Sequence, residues 1–269
     1  MELSGEAWRD LREAHALLEN PGLAARLTHL IGMPLAQALS MLPDNWADKI
    51  HQASRLALEK NLAFVSRGLH NRNASRWNQS QLLKWANTAS GAIGGAFGLP
   101  ALLLELPVST SLLLRGIAAE AVRSGEDLDA VPGRLACLEV FALGGTSADD
   151  DASESGYFGV RLALARAVSE AAEFVAAGRL ASESAPLLVR LLQQVAARFG
   201  LIVSQKAAAQ AVPIVGAASG ALINYAFSDH FTKMAYGHFT VRRLERSYGH
   251  DLVRSSYASL ANEENNQNN

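Results

Sequence analysis

An all-α, multi-helix bundle is the fold this sequence predicts, and three observations predict it. The composition is 49% apolar but only 7% aromatic; it is dominated by Ala and Leu, which form helices well, whereas strands favour β-branched and aromatic residues. Apolar residues recur at three- and four-residue spacing along much of the chain, the stripe of an amphipathic helix. Two long segments are apolar on every side and rich in glycine, as expected of helices at the centre of a bundle. With 269 residues the chain can bury a substantial core in one large domain or two small ones.

The elements follow in order. Leu3, Ala7, Leu11, Ala14 and Leu18 mark one face of an opening helix that Asn20-Pro21-Gly22 ends. A second helix is expected from Leu23 to Met41, kinked at Gly32 and Pro34. Asp44 is the candidate N-cap of a third, reaching Leu69 with Trp46, Ile50, Ala53, Ala57, Lys60 and Phe64 a turn apart. His70 to Gln81 is polar and expected as a loop.

The first apolar segment lies within Trp85 to Val122, where Glu105 is the only charge between Lys84 and Arg115. Its length suits a bilayer core at about 1.5 Å per residue. Pro100, Glu105 and Pro107 are expected to break it into half-helices or a helical hairpin. A polar turn at Gly125 to Asp129, a helix from Pro132, an acidic loop around Asp149, Asp150, Asp151 and Glu154, and helices over 160–178 and 186–199 come next. The second apolar segment, Ala207 to Phe227, has no formal charge between Lys206 and Asp229. A helix over 231–248 follows, with Arg242, Arg243 and Arg246 near its C-terminal end, where cations complement the helix dipole. The polar tail beyond Leu260 has the composition of disorder. The expected organisation is N-terminal helices in 1–42, a helical domain in 43–249 and a largely disordered tail in 250–269.

Several function classes lose support at this level. A net charge of -2 gives no electrostatic footprint for nucleic acid. The single cysteine, Cys137, has apolar neighbours and reads as a buried helical residue in a reducing compartment. The first twelve residues lack the basic start and apolar run of a secretory signal, so a cytoplasmic location is expected. The seven histidines show no metal-ligand spacing; Asp229, His230 and His238 are better read as polar residues of a helix surface. The glycines around Gly94 lack the Lys-Ser/Thr of a phosphate loop, Ser219-Gly220 lacks the pattern of a nucleophile elbow, and the acidic loop lacks the order of an EF-hand. No catalytic residue, metal or cofactor is assigned.

Two motifs remain. One is Gly94-Gly95-Ala-Phe-Gly98 leading through Glu105-Leu106-Pro107 to Leu-Leu-Leu-Arg115; the other is Lys206, then Ala211 to Gly216 as Ala-Val-Pro-Ile-Val-Gly, then Asn224. Together they resemble the EcsC family over about Pro43 to Gly249. The resemblance implies a bacterial, all-helical protein connected with the membrane, and it carries no established reaction. The family pattern more often has Asp where Glu105 stands, which weakens any argument needing a short carboxylate there.

The pairs Gly91 and Gly95, Gly94 and Gly98, and Gly216 and Gly220 have the small-xxx-small spacing of close helix packing, in a bilayer or inside a bundle. The prolines beside Glu105 would leave backbone groups unsatisfied in lipid, which favours a folded helical domain with peripheral membrane contact. Neither Glu105 nor Lys206 can be buried alone cheaply, so Glu105 is expected to pair with Arg115 or Lys206. Glu105, Arg115, Lys206 and Asn224 then form a candidate polar group, structural or ligand-binding, and Arg242, Arg243 and Arg246 are candidate contacts for anionic headgroups. The expected function is a non-enzymatic, membrane-associated accessory or lipid-binding protein at the inner face of the cell membrane. The alternative is an enzyme, such as a lipid-directed hydrolase, using Glu105 and Lys206.

Overall fold

The computed structural model describes residues 3–20, 22–62, 64, 99–145, 156–177, 186–212 and 217–267. Among them every regular element is helical. The elements are α1 (Gly5–Glu19), α2 (Leu23–Ile31), α3 (Leu35–Ser40), α4 (Trp46–Glu59), α5 (Leu99–Arg123), α6 (Val131–Glu139) with a 3-10 turn at Val140–Ala142, α7 (Gly156–Ala176), α8 (Pro186–Ala211), α9 (Ala217–Tyr248) and α10 (His250–Gln267).

Helix α1 starts where Ser4 accepts a hydrogen bond from the Ala7 amide at 3.2 Å, and it buries Ala7, Leu11, Ala14 and Leu18. The expected second helix is two helices. Gly32 adopts φ 69°, a left-handed conformation that closes α2, and Pro34 precedes α3. Helix α4 is preceded by Asn45, not Asp44, and is interrupted at Lys60; the expected end near Leu69 lies outside the described residues.

Helix α5 corrects the expected break, because it runs continuously through Pro107. Pro100 sits in its first turn, where a missing N–H costs nothing. Pro107 deprives only the Leu103 carbonyl of a helical donor, and Ser111 returns a hydroxyl hydrogen bond to the Pro107 carbonyl at 2.8 Å. The described part of the second apolar segment, by contrast, falls at the end of α8 and the start of α9. The tail expected to be disordered is helical to Gln267, with Val253, Tyr257 and Leu260 buried at helical spacing.

Helices α8 and α9 form the centre. Helix α8 packs on α2, α3, α4, α5, α7 and the 3-10 turn, while α9 packs on α1, α2, α5, α10 and α8. Their meeting point holds Phe141, Phe199, Phe227 and Phe231, all fully buried, with ring centroids 5.1 to 6.4 Å apart in edge and tilted contacts. Helix α6 is buried on every side, Cys137 included, and burial pushes that thiol far above its usual range.

Candidate functional site

Beside this aromatic core, α5, α8 and α9 each contribute one polar side chain. The Lys206 ammonium lies 3.1 Å from Glu105 Oε1, with 1% of the lysine side chain and 7% of the glutamate side chain exposed. Asn224 Nδ2 donates to the same oxygen at 2.9 Å. The ammonium also stands 4.8 Å from the centre of the Phe227 ring, a cation–π contact strengthened by burial. Burial pulls the Lys206 pKa below its ordinary value, and the Glu105 charge offsets part of that.

Each residue sits where its helix register places it. On α5, Leu102, Leu106, Ser109 and Leu113 face the core, whereas Leu104, Val108 and Arg115 face outward. Glu105 stands at the border of the two faces. Its second oxygen, Oε2, is buried and has no hydrogen-bond donor among the described residues. Lys206 belongs to the buried Val203, Ala207 stripe of α8, and Asn224 to the buried Ile223, Phe227 side of α9.

Of the four residues expected to converge, three do: Glu105, Lys206 and Asn224. Arg115 is exposed on α5, ten residues and about 15 Å of helix beyond Glu105. Gly220 is buried on α9, while Gly91, Gly94, Gly95, Gly98 and Gly216 lie outside the described residues, as do the 70–81 and 149–154 stretches. Arg242 is held in a two-pronged ion pair by Glu126 at 2.7 and 3.2 Å, Arg246 joins the same carboxylate, and Arg243 pairs with Asp10 at 2.6 Å.

Asp229, His230 and His238 are not surface residues, since all three are buried. Asp229 pairs with Arg26 and, at 3.0 Å, with Lys233. Burial pushes His230 down to about 4, opposed by the Leu143 carbonyl and Asp229. No group of three potential metal ligands occurs among the described residues.

A second buried polar network, at the far end of α9, is not anticipated by the sequence. Tyr157 and His238 share a hydrogen bond at 3.0 Å through Nδ1, and Glu139 lies 3.8 Å from the opposite ring nitrogen. Arg161 grips Glu245 at 2.8 and 3.1 Å and lies over the Tyr157 and Phe158 rings. Burial raises the Glu139 pKa against the pull of Arg242 and Arg161. It holds His238 well below its normal value, reinforced by the same two arginines. Glu19, at the end of α1, accepts the first amides of α7 at 3.1 and 3.3 Å and the Tyr257 hydroxyl at 2.8 Å. One signal of this network does stand in the chain: Glu139 is the only charge between Arg134 and Asp149, a shorter apolar run than the one around Glu105.

No curated protein and no solved structure matches the chain. The family comparison matches residues 6–244, from the first turn of α1 to the last part of α9, so the helices of 1–42 lie within the matched region. On that match, the chain belongs to the EcsC protein family.

Proposed function

We propose that this chain is a non-enzymatic, membrane-associated accessory protein that binds lipid or another amphiphile along the outer edge of α5, at the inner face of a bacterial cell membrane. The observation that carries the reading is the outward face of α5. Leu104 is 82% and Val108 58% exposed, one turn apart and flanking a buried, charge-paired Glu105. Two large apolar side chains projecting from one helix turn suit an interface better than water. Leu222 and Tyr225 on α9, beside Asn224 in sequence, are exposed as well. Two helical stretches, Leu99–Arg123 and Leu187–Ala211, are long and apolar enough to cross a membrane, yet each is about half buried within the bundle, which favours contact over spanning.

The alternative of an enzyme built on Glu105 and Lys206 has less support, because the two neutralise each other in a buried pair and no reacting atom is offered to solvent. Arg242, Arg243 and Arg246 are engaged by carboxylates of this chain, so they are assigned no headgroup and binding is expected to be carried by apolar contact.

Flotation of the purified chain with neutral and with anionic vesicles tests the reading. The expected result is flotation with both kinds, released by a carbonate wash and lost in the Leu104→Asp, Val108→Asp double variant. Failure of the unaltered chain to float with either kind would overturn it, and retention through carbonate would replace contact by insertion.

A further inference from the structure

The unshared oxygen of Glu105 narrows the ligand class. An ionised carboxylate accepts through two oxygens, and here both donors, Lys206 and Asn224, use Oε1. Oε2 is buried without a donor among the described residues, and leaving an ionised acceptor unmatched is costly. Glu105 itself stands at the border of the α5 face that carries Leu104 and Val108, with the half-buried Ala101 and Leu112 a turn or two away on the same side. A donor that approaches Glu105 from that face passes hydrocarbon side chains.

Charge selects the donor. Lys206 already neutralises Glu105, so a second cation on the same carboxylate would stand close to the ammonium and be repelled by it in a buried site. A phosphate or carboxylate would meet the Glu105 charge itself. A neutral hydroxyl has neither penalty and satisfies the acceptor. We propose that the Glu105 edge of α5 binds a neutral, hydroxyl-bearing amphiphile, a lipid of the diacylglycerol type, whose hydroxyl donates to Glu105 Oε2 while its chains lie along Leu104 and Val108. Oε2 is buried, so the hydroxyl reaches it when the side chains packed around Glu105 shift. The inference rests on the amphiphile reading above and adds the headgroup to it.

The experiment compares three lipids in phosphatidylcholine vesicles: dioleoylglycerol, the same lipid with its hydroxyl acetylated, and oleylamine. Partition of the full chain is read by flotation, and calorimetry with dioctanoylglycerol below its micellar concentration reads the site without a bilayer. A hydrogen bond to a charged acceptor sets an expected preference of about tenfold for the free hydroxyl over the acetylated lipid, with no gain from the amine. That ratio should fall to unity in the Glu105→Leu, Lys206→Met double variant, which removes both charges together and is expected to fold. Equal partition to free and acetylated lipid, a preference for the amine, or a hydroxyl preference that survives the double variant would each overturn the proposal. Flotation without hydroxyl dependence would refute the headgroup and leave the membrane reading standing. Calorimetric binding without flotation would do the reverse.

Discussion

The two ends of α9 bury charge in different ways. Near its start, Asn224 joins one lysine and one glutamate in an apolar setting, with a carboxylate oxygen left over and exposed leucine and valine on the neighbouring turns of α5. Near its end, Arg242 and Glu245 enter two-pronged pairs with Glu126 and Arg161, and Tyr157, His238 and Tyr257 fill in around them. A network with several two-pronged pairs of fixed geometry locks α1, α6, α7, α9 and α10 in register, although His238 Nε2 is buried there without a hydrogen-bond partner among the described residues. A lone pair with spare acceptor capacity is a weaker lock, and its remaining valence is what a ligand can use. The contrast separates a structural polar core from a candidate site more clearly than the identity of the residues does, since both ends use the same chemistry.

The largest expected effect tests the simple end. Lys206→Met leaves Glu105 buried and unpaired, and should lower stability by about 3–5 kcal/mol in urea unfolding followed by circular dichroism. Adding Glu105→Leu should recover most of this, bringing the double variant within about 1 kcal/mol of the starting chain. Additive losses would show that the pair is not an isolated unit. The dense end should behave otherwise. Arg161→Met, at a pair 17% and 11% exposed, is expected to cost about 2–3 kcal/mol, and Glu245→Leu should not rescue it. Arg161 also packs on Tyr157 and Phe158 and offsets the buried Glu139, so these interactions stay broken in the double variant. A full rescue there would erase the distinction between the two ends.

Between the ends lies His230, whose pKa burial pushes down to about 4. The sign follows from proton binding: between the unfolded value near 6.5 and the folded value near 4, the unfolded chain holds more protons, so stability falls as pH falls through that window. From about pH 8 to about pH 5 the loss due to this ring is about 2 kcal/mol. His238 acts in the same direction, whereas Glu139, with its pKa raised, loses its contribution as pH rises from the acid side. The measurement is therefore a difference: the pH dependence of the unfolding midpoint in His230→Leu should be shallower than in the parent by that amount. Parallel curves would mean that the imidazole titrates normally.

How far these features are legible in the sequence depends on whether their cause is local. Lone charges inside apolar runs mark Glu105 and Lys206, and the cost of burying them predicts a pairing. Arg115 and Lys206 are equal candidates from the sequence because the choice depends on which face of α5 looks inward, a fact about neighbours and not about spacing. Glu139 carries the same lone-charge signal within the short α6, where nothing else stands out. Arg242 and Arg246 look like ordinary end-of-helix cations, and their partner Glu126 is more than a hundred residues away in the chain. Pro107 suggests a break because proline removes a donor, but one released carbonyl does not end a helix whose core face remains packed. The polar composition of the tail hides Val253, Tyr257 and Leu260, a stripe that binds α10 to the body despite the surrounding Asn and Glu.

The smallest effects compare two glycines in the helices that carry the two ends. On α9, an added Cβ at Gly237 would stand 2.7 Å from Leu18 Cγ and 3.1 and 3.2 Å from its methyl carbons, so a buried leucine of α1 must move. Overpacking of this kind costs about 1–3 kcal/mol, and the helix propensity gained from alanine returns about 1 kcal/mol. Gly237→Ala should therefore destabilise by about 1 kcal/mol. On α5, a Cβ at Gly116 would meet nothing within 4 Å, so Gly116→Ala keeps the propensity gain of about 0.5–1 kcal/mol with no packing cost. Opposite signs in thermal unfolding of the two variants would show that α9 is seated tightly on α1 while α5 has slack at Gly116, toward its C-terminal end. A loss at both positions would put close packing around Gly116 on α5 as well, against the open space beside it.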